Sequence, residues 1–296
     1  MPFTIIVPTK DRCELIKKLL DSVKKLRGLE IIRPEIIIGD NNSTDQTAEL
    51  LQREASSFPI PLRLLKVTTA GKCAVMNEAI RNATGEILAF LDDDVVVDES
   101  WLEELDRFFH DGNDHVAGQG VIRISALESQ DPEIRELLQR YRTIPHLEFA
   151  RDVGDLHSLN GANIALRREV FDRIGGFDER LGPGASGTSE DVELAQRVRG
   201  AGMKIGYMRE AIVYHRIDPS RLTEGYFKAI HKRQGASRLL FKQQSSGQIL
   251  FDLCRVSAQY SFYSIIGGMR DRYRNKGRIY HYLGMLESKL NWKSHD

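Results

Sequence analysis

Apolar positions in the first half of the chain follow two alternating rhythms. Short aliphatic runs, Phe3–Val7, Glu35–Gly39, Leu62–Lys66 and Glu86–Leu91, predict strands. Between them, apolar residues recur at helical spacing. Leu15, Leu19, Leu20 and Val23 predict a helix over 11–26, closed by Gly28. Two more helices are expected, one over about 45–55 with Ser43 as its N-cap and one over 71–82. Pro8 is expected to end the first strand. Further on, 99–109 and 190–199 read as helices, and Ile212–His215 ends a short strand.

Strand–helix alternation of this kind requires right-handed crossovers. It predicts an α/β fold: a mainly parallel, Rossmann-like sheet with helices on both faces. Such sheets bind ligands beyond the carboxyl ends of their strands. The polar segments Pro8–Arg12, Asp40–Asp45 and Asp92–Asp94 all lie there.

Composition adds bounds. At 296 residues and 41% hydrophobic, the chain can bury a substantial core. Cys13, Cys73 and Cys254 are too sparse for a disulfide framework or a zinc site, which fits a cytoplasmic protein. The apolar run near the N-terminus is too short for a signal peptide, and no run is long enough to span a bilayer. Lys plus Arg equals Asp plus Glu at 42 each, arguing against a protein basic all over and built to coat nucleic acid.

The balance hides an asymmetry. Residues 219–296 hold 14 Lys/Arg against 5 Asp/Glu, and 11 of the 23 aromatic residues. The expected division is therefore a catalytic domain over 1–218 and a helical extension over 219–296. A basic, aromatic, helical segment suits an anionic membrane surface. The same apolar residues, Tyr260, Phe262, Tyr263 and Ile265, would also serve a homodimer interface.

The chemistry concentrates in carboxylates. Asp92, Asp93 and Asp94 follow an apolar strand, and adjacent carboxylates repel one another unless a cation is near. Mg²⁺ or Mn²⁺ bridging to phosphate oxygens is the natural partner; an acidic turn preceding the next helix is the plainer alternative. No Gly-rich dinucleotide or Walker motif occurs, so phosphate charge must be met by metal and single side chains, Lys72 among them. Glu190 and Asp191 open a helix after the Gly/Ser-rich stretch 181–189, where a carboxylate can take a proton from a hydroxyl. His215 is a lone strand-end imidazole able to complete a metal shell.

In order, these segments resemble the family-2 glycosyltransferases, inverting enzymes of GT-A fold. Val7–Arg12 resembles their opening strand and turn, Asp40–Thr47 the D-x-S-x-D-x-T segment, and Gly71–Asn77 the G-x(n)-A-x-N helix. Phe90–Asp94 resembles the D-x-D region, Asn160–Asn163 with Gly175–Glu179 the donor-site strand and turn, and Ser189–Asp191 the segment holding the base. The resemblance covers about residues 3–216.

It implies roles. Pro8, Thr9, Asp11, Arg12 and Asp40 frame the nucleotide base. Lys72, Asp92 and Asp93 contact base, ribose or phosphate. Asp94 binds Mn²⁺ or Mg²⁺, with Asp92 a second candidate and His215 a further ligand. Gly161, Ala162 and Asn163 face the donor sugar. Asp191 is the general base, with Glu190 beside it. The implied reaction moves a sugar from a nucleotide-sugar donor, UDP-linked, to a glycan or lipid-linked acceptor in polysaccharide biosynthesis. The absence of a Q-x-x-R-W motif and of channel-forming membrane helices points to single addition, and the basic, aromatic tail to a place at the cytoplasmic face of the membrane. A sugar-1-phosphate nucleotidyltransferase would need a glycine-rich turn where Val7–Arg12 has none. A non-catalytic carbohydrate-binding protein would have no need of the full carboxylate set.

Overall fold

The structure, a computed structural model, describes residues 2–125, 129–150 and 153–292. The chain forms two units. The first comprises Met1–Ser125, Pro145–Glu179 and Glu190–Arg216; the second comprises Ala126–Ile144, Arg180–Ser189 and Ile217–Asp296. The division at 218/219 expected from charge does not anticipate the two excursions, 126–144 and 180–189, that join the helical unit.

In chain order the strands are β1 (Phe3–Thr9), β2 (Glu35–Asp40), β3 (Leu62–Lys66), β4 (Ile87–Leu91), β5 (Val95–Val97), β6 (His115–Ile124), β7 (Asn163–Arg167) and β8 (Lys204–His215). The helices are α1 (Cys13–Val23), α2 (Leu29–Ile32), α3 (Thr47–Ala55), α4 (Lys72–Asn82), α5 (Trp101–His110), α6 (Pro132–Tyr141), α7 (Arg168–Ile174), α8 (Glu190–Gly200), α9 (Glu224–Arg238), α10 (Ser246–Ile266) and α11 (Met269–Trp292). Among the described residues the strands form one eight-stranded sheet, ordered β3-β2-β1-β4-β7-β6-β8-β5.

Period-two alternation builds the core on both faces. Ile5 and Val7 of β1, with Ala89 of β4, pack against Ile16, Leu19 and Leu20 of α1. Their neighbours Ile6, Leu88 and Phe90 point the other way, onto Cys73, Met76 and Ala79 of α4. α4 approaches β2 closely because residue 39 is glycine: a Cβ there would stand 2.1 Å from Val75 Cγ1. Pro8 does not end β1. The pairing of β1 with β4 stops at Ile6, so on that side no partner strand needs the N–H that Pro8 lacks.

The sheet is mixed, with four of its seven pairings parallel. The pairs β1–β2, β1–β4, β2–β3 and β6–β8 are parallel. β7 runs antiparallel between β4 and β6, and β5 runs antiparallel to β8. Ser43 does not cap α3; its side chain is held by Asp40 instead.

In the helical unit, α6, α9 and α10 pack against α11. Glycines set the closeness of α9 and α11: a Cβ on Gly235 would meet the His281 carbonyl at 1.9 Å, and one on Gly284 the Lys232 carbonyl at 2.1 Å. α10 begins with a capping box between Ser245 and Gln248. No described helix is long and apolar enough to cross a membrane. The Gly-rich stretch 181–189 is a tight turn: the amide of Gly187 donates to the Gly182 carbonyl at 2.7 Å, and Ser186 meets Ser237 of α9 at 2.8 Å.

Candidate active site

Register along the first unit gathers the carboxylates. β4 ends at Leu91, and Asp92–Asp94 form the turn into β5. β5 pairs with β8 so that Val95 lies opposite His215, which brings His215 Nε2 to 3.3 Å from Asp94 Oδ1. One ligand atom each from Asp92, Asp94 and His215 lies within 4.8 Å of the other two. His215 Nδ1 lies 2.7 Å from the Arg216 carbonyl, which can only accept, so Nδ1 carries the hydrogen. In the neutral ring, Nε2 then presents a lone pair to a carboxylate oxygen. Two facing acceptors need a proton or a cation between them, and two carboxylates with one imidazole form a donor set that fits a divalent metal.

Asp93 points elsewhere. It is buried, accepts from Thr9 Oγ1 at 2.7 Å, and pairs with Arg12 Nη1 at 2.9 Å. Burial pushes its carboxyl up to about 6 despite that arginine. Arg12 also reaches Asp94 Oδ2 at 3.3 Å. The Pro8–Arg12 turn is bolted to the segment after β2. Asp11, with φ of +51°, accepts from the Thr44 amide at 2.6 Å, and the Asp11 amide donates to Ser43 Oγ. Asp40, buried at the end of β2, accepts from the amide and hydroxyl of Ser43. Pro8, Thr9 and Asp40 are thus buried, and Asp11 and Arg12 exposed, around one strand-end rim.

Lys72 opens α4 inside an acidic group. Its ammonium stands 2.6 Å from Asp92 Oδ1 and 3.4 Å from Glu190 Oε1. Burial alone would lower its proton affinity, but Asp92, Glu190 and Asp191 outweigh it and raise the value. Asp191 accepts from the Gly161 amide at 3.0 Å and the Val192 amide at 2.8 Å. Its carboxyl is pushed up to about 6, first by burial and next by the charge of Glu190. A carboxylate held near neutrality beside a lysine can both accept a proton and retain it.

Gly161 therefore faces the acid pair. Asn163 and Ala162, expected to face the sugar, are fully buried. Asn163 Oδ1 accepts from Trp101 Nε1 at 2.9 Å, and its Nδ2 donates to the carbonyls of Val121 and Ala211 at 2.9 Å each. Every polar atom of that side chain is spent joining α5, β6 and β8. Gln119, also fully buried, escaped sequence reasoning. Its Oε1 accepts from the Asn160 amide at 2.6 Å and its Nε2 donates to the Asn163 carbonyl at 3.0 Å, holding the loop that carries Gly161. A lone amide inside the apolar run His115–Ile124 was the available signal. Asn77 clamps the later turn, bonding the Phe177 backbone and Glu179.

The model of the glycosyl transferase family 2 matches residues 4–175, and the chain belongs to that family. It is 32% identical over 239 residues to the O-antigen biosynthesis protein RfbC of Myxococcus xanthus, a match spanning 74% of this chain but only 17% of RfbC. Among solved structures, a mannosyltransferase of Pyrobaculum calidifontis in complex with GDP-Man and Mn²⁺ superposes with a TM-score of 0.65 at 18% identity, over 97% of this chain and 86% of that one. S. aureus TarS, residues 1–349 with UDP-GlcNAc, gives 0.58 at 16% identity, over 98% and 92%. At these identities the two structures attest the fold.

Proposed function

We propose that this chain is an inverting, divalent-metal-dependent glycosyltransferase that moves a sugar from a UDP-linked donor to a hydroxyl of a glycan or lipid-linked acceptor, one sugar per encounter. The observation that carries the reading is the placement of Lys72 between Asp92 and Glu190, with Asp191 held by Gly161 on the same side.

Asp92, Asp94 and His215 would hold the metal, which when bound neutralises charge on the departing nucleoside diphosphate. The imidazole in the donor set favours Mn²⁺ over Mg²⁺, which prefers oxygen alone. Arg12 and Lys72 add positive charge on either side of the diphosphate. Pro8, Thr9, Asp11 and Asp40 frame the base, and Gly161 leaves room for the sugar. Asp191 takes the acceptor proton as the hydroxyl attacks the anomeric carbon, a role typically worth ~10²–10⁴-fold. With a single base and, among the described residues, no second nucleophile in position, one displacement inverts the anomeric centre. TarS is named with UDP-GlcNAc and the mannosyltransferase with GDP-Man, so a nucleotide-sugar panel tests the donor. Turnover of UDP-sugars with Mn²⁺, abolished by Asp191→Asn while UDP still binds, is the expected result. Full transfer by Asp191→Asn would remove the base assignment.

The helical unit is proposed to dock on an anionic membrane at the cytoplasmic face. On α10, Leu250, Phe251, Phe262, Ile265 and Ile266 are exposed, and the basic residues Arg270 and Arg272 follow at the start of α11. Flotation with phosphatidylglycerol vesicles at low salt tests it. Protein left in the pellet, with a dimer in solution, would assign that face to a second copy.

A further inference from the structure

The helical unit forms an open cavity of about 770 Å³ that the proposed transfer chemistry does not use. Arg140, Arg142, Arg238, Lys242, Arg274 and Arg278 line it, brought from the end of α6, from α9, from the segment before α10, and from α11. Asp252 is the single lining carboxylate, and it is already engaged: Arg255 stands 2.7 Å away and Gln244 donates to it at 3.2 Å. Arg140 pairs with Glu136 outside the lining, yet its Nε is buried without a hydrogen-bond partner. Among the described residues, no carboxylate lies within ion-pairing distance of Arg142, Arg238, Lys242 or Arg274.

Two local features sharpen the picture. Arg142 ends α6 in the left-handed region, at φ of +54°, where glycine is the unstrained choice. The chain thus keeps a guanidinium at a position that disfavours any side chain. His281, also lining the cavity, is pushed down to about 4 by burial and then by the charges of Arg238, His231 and Arg278. Among the described residues, six cationic side chains crowd this lining against the one carboxylate of Asp252, itself paired with Arg255. Forked guanidiniums from several elements match phosphate oxygens, and Phe227 and Tyr273 supply an apolar wall for whatever carries them.

We propose that this cavity is a second anion site, which binds the phosphate or diphosphate group of a phosphate ester. The group can come from a lipid headgroup or from a soluble ester, and the chemistry of capture is the same. The site stands independently of the donor-site reading.

Calorimetry with inorganic pyrophosphate, on the full chain at low salt with EDTA present, tests it. Binding is expected, weakened as salt rises. In Arg142→Gln/Arg274→Gln it should be weakened roughly tenfold or more, because two charge-assisted hydrogen bonds to the anion can no longer form, and in Asp94→Ala it should be unchanged. Metal-dependent nucleotide-sugar turnover by Arg142→Gln/Arg274→Gln should equal that of the unaltered chain, so failure here and failure of the transferase reading are separable. Should that variant melt early, Lys242→Gln, at an exposed position, replaces it. No pyrophosphate binding, or binding equal in the variants and the unaltered chain, overturns the proposal. Flotation then separates the sources: arginine-dependent preference for vesicles with phosphatidic acid over phosphatidylglycerol supports a lipid phosphate, and pyrophosphate binding without that preference supports a soluble ester.

Discussion

Lys72 stands 2.6 Å from Asp92, and this ion pair ties the metal-type triad to the acid pair of α8, because the same ammonium reaches Glu190. Replacing it by Met leaves three carboxylates gathered without their cation. The pair is half-buried, so the cost falls below the roughly 3–5 kcal/mol of a fully buried pair, and Lys72→Met should melt earlier than the unaltered chain. The lost positive charge also raises Asp191 further, moving the acidic limb of the pH–rate profile to higher pH. A profile that stays in place would disconnect Lys72 from Asp191.

Asp191 gives a pH dependence of its own. Its carboxyl is pushed up to about 6 from an ordinary value of 3.8, and the proposed base would act only when deprotonated. Turnover per encounter, kcat/KM, should fall about tenfold per pH unit below that value. The same shift carries a stability penalty. Between pH 4 and 6 the folded chain holds a proton that the unfolded chain releases, so stability declines as pH rises through that window. Asp191→Asn escapes the penalty, at most about 3 kcal/mol at 1.36 kcal/mol per unit. It should therefore gain thermal stability relative to the parent between pH 4 and pH 7 while losing transfer. Equal melting curves at both pH values would contradict a buried, strained charge.

The strand ends were legible because a short aliphatic run that stops at an acidic turn fits a buried strand and little else. β1, β2, β3 and β4 and the turns at Asp40 and Asp92 lie where the pattern put them. Pairing direction was not legible: β7 reads as a short apolar run whichever way it lies, and its antiparallel register with β4 and β6, with that of β5 on β8, makes the sheet mixed. The three-residue β5 was hidden by its length, yet it sets His215 beside Asp94. The cationic cavity was invisible for a different reason. Arg142, Arg238 and Arg274 are far apart in sequence, and only packing on α11 assembles them.

His215 should govern which metal is preferred. Its Nε2 faces Asp94 because Nδ1 donates to the Arg216 carbonyl, a partner that fixes tautomer and ring orientation. His215→Ala should raise the Mn²⁺ concentration for half-maximal turnover tenfold or more and narrow the preference for Mn²⁺ over Mg²⁺. Titrating each metal at fixed donor measures both. An unchanged Mn²⁺ requirement would place the imidazole outside the shell.

Asn163 separates structure from recognition. Its amide bonds Trp101, Val121 and Ala211 and is closed to solvent. Asn163→Leu strands one indole N–H and two carbonyls in the interior, and each unmet group costs about 1–3 kcal/mol. A loss of about 3 kcal/mol or more in denaturant unfolding is expected. At temperatures where the variant is still folded, the KM for the donor should match that of the parent, because the side chain is closed to solvent and its polar atoms are engaged. A raised donor KM with unaltered stability would return Asn163 to the sugar site.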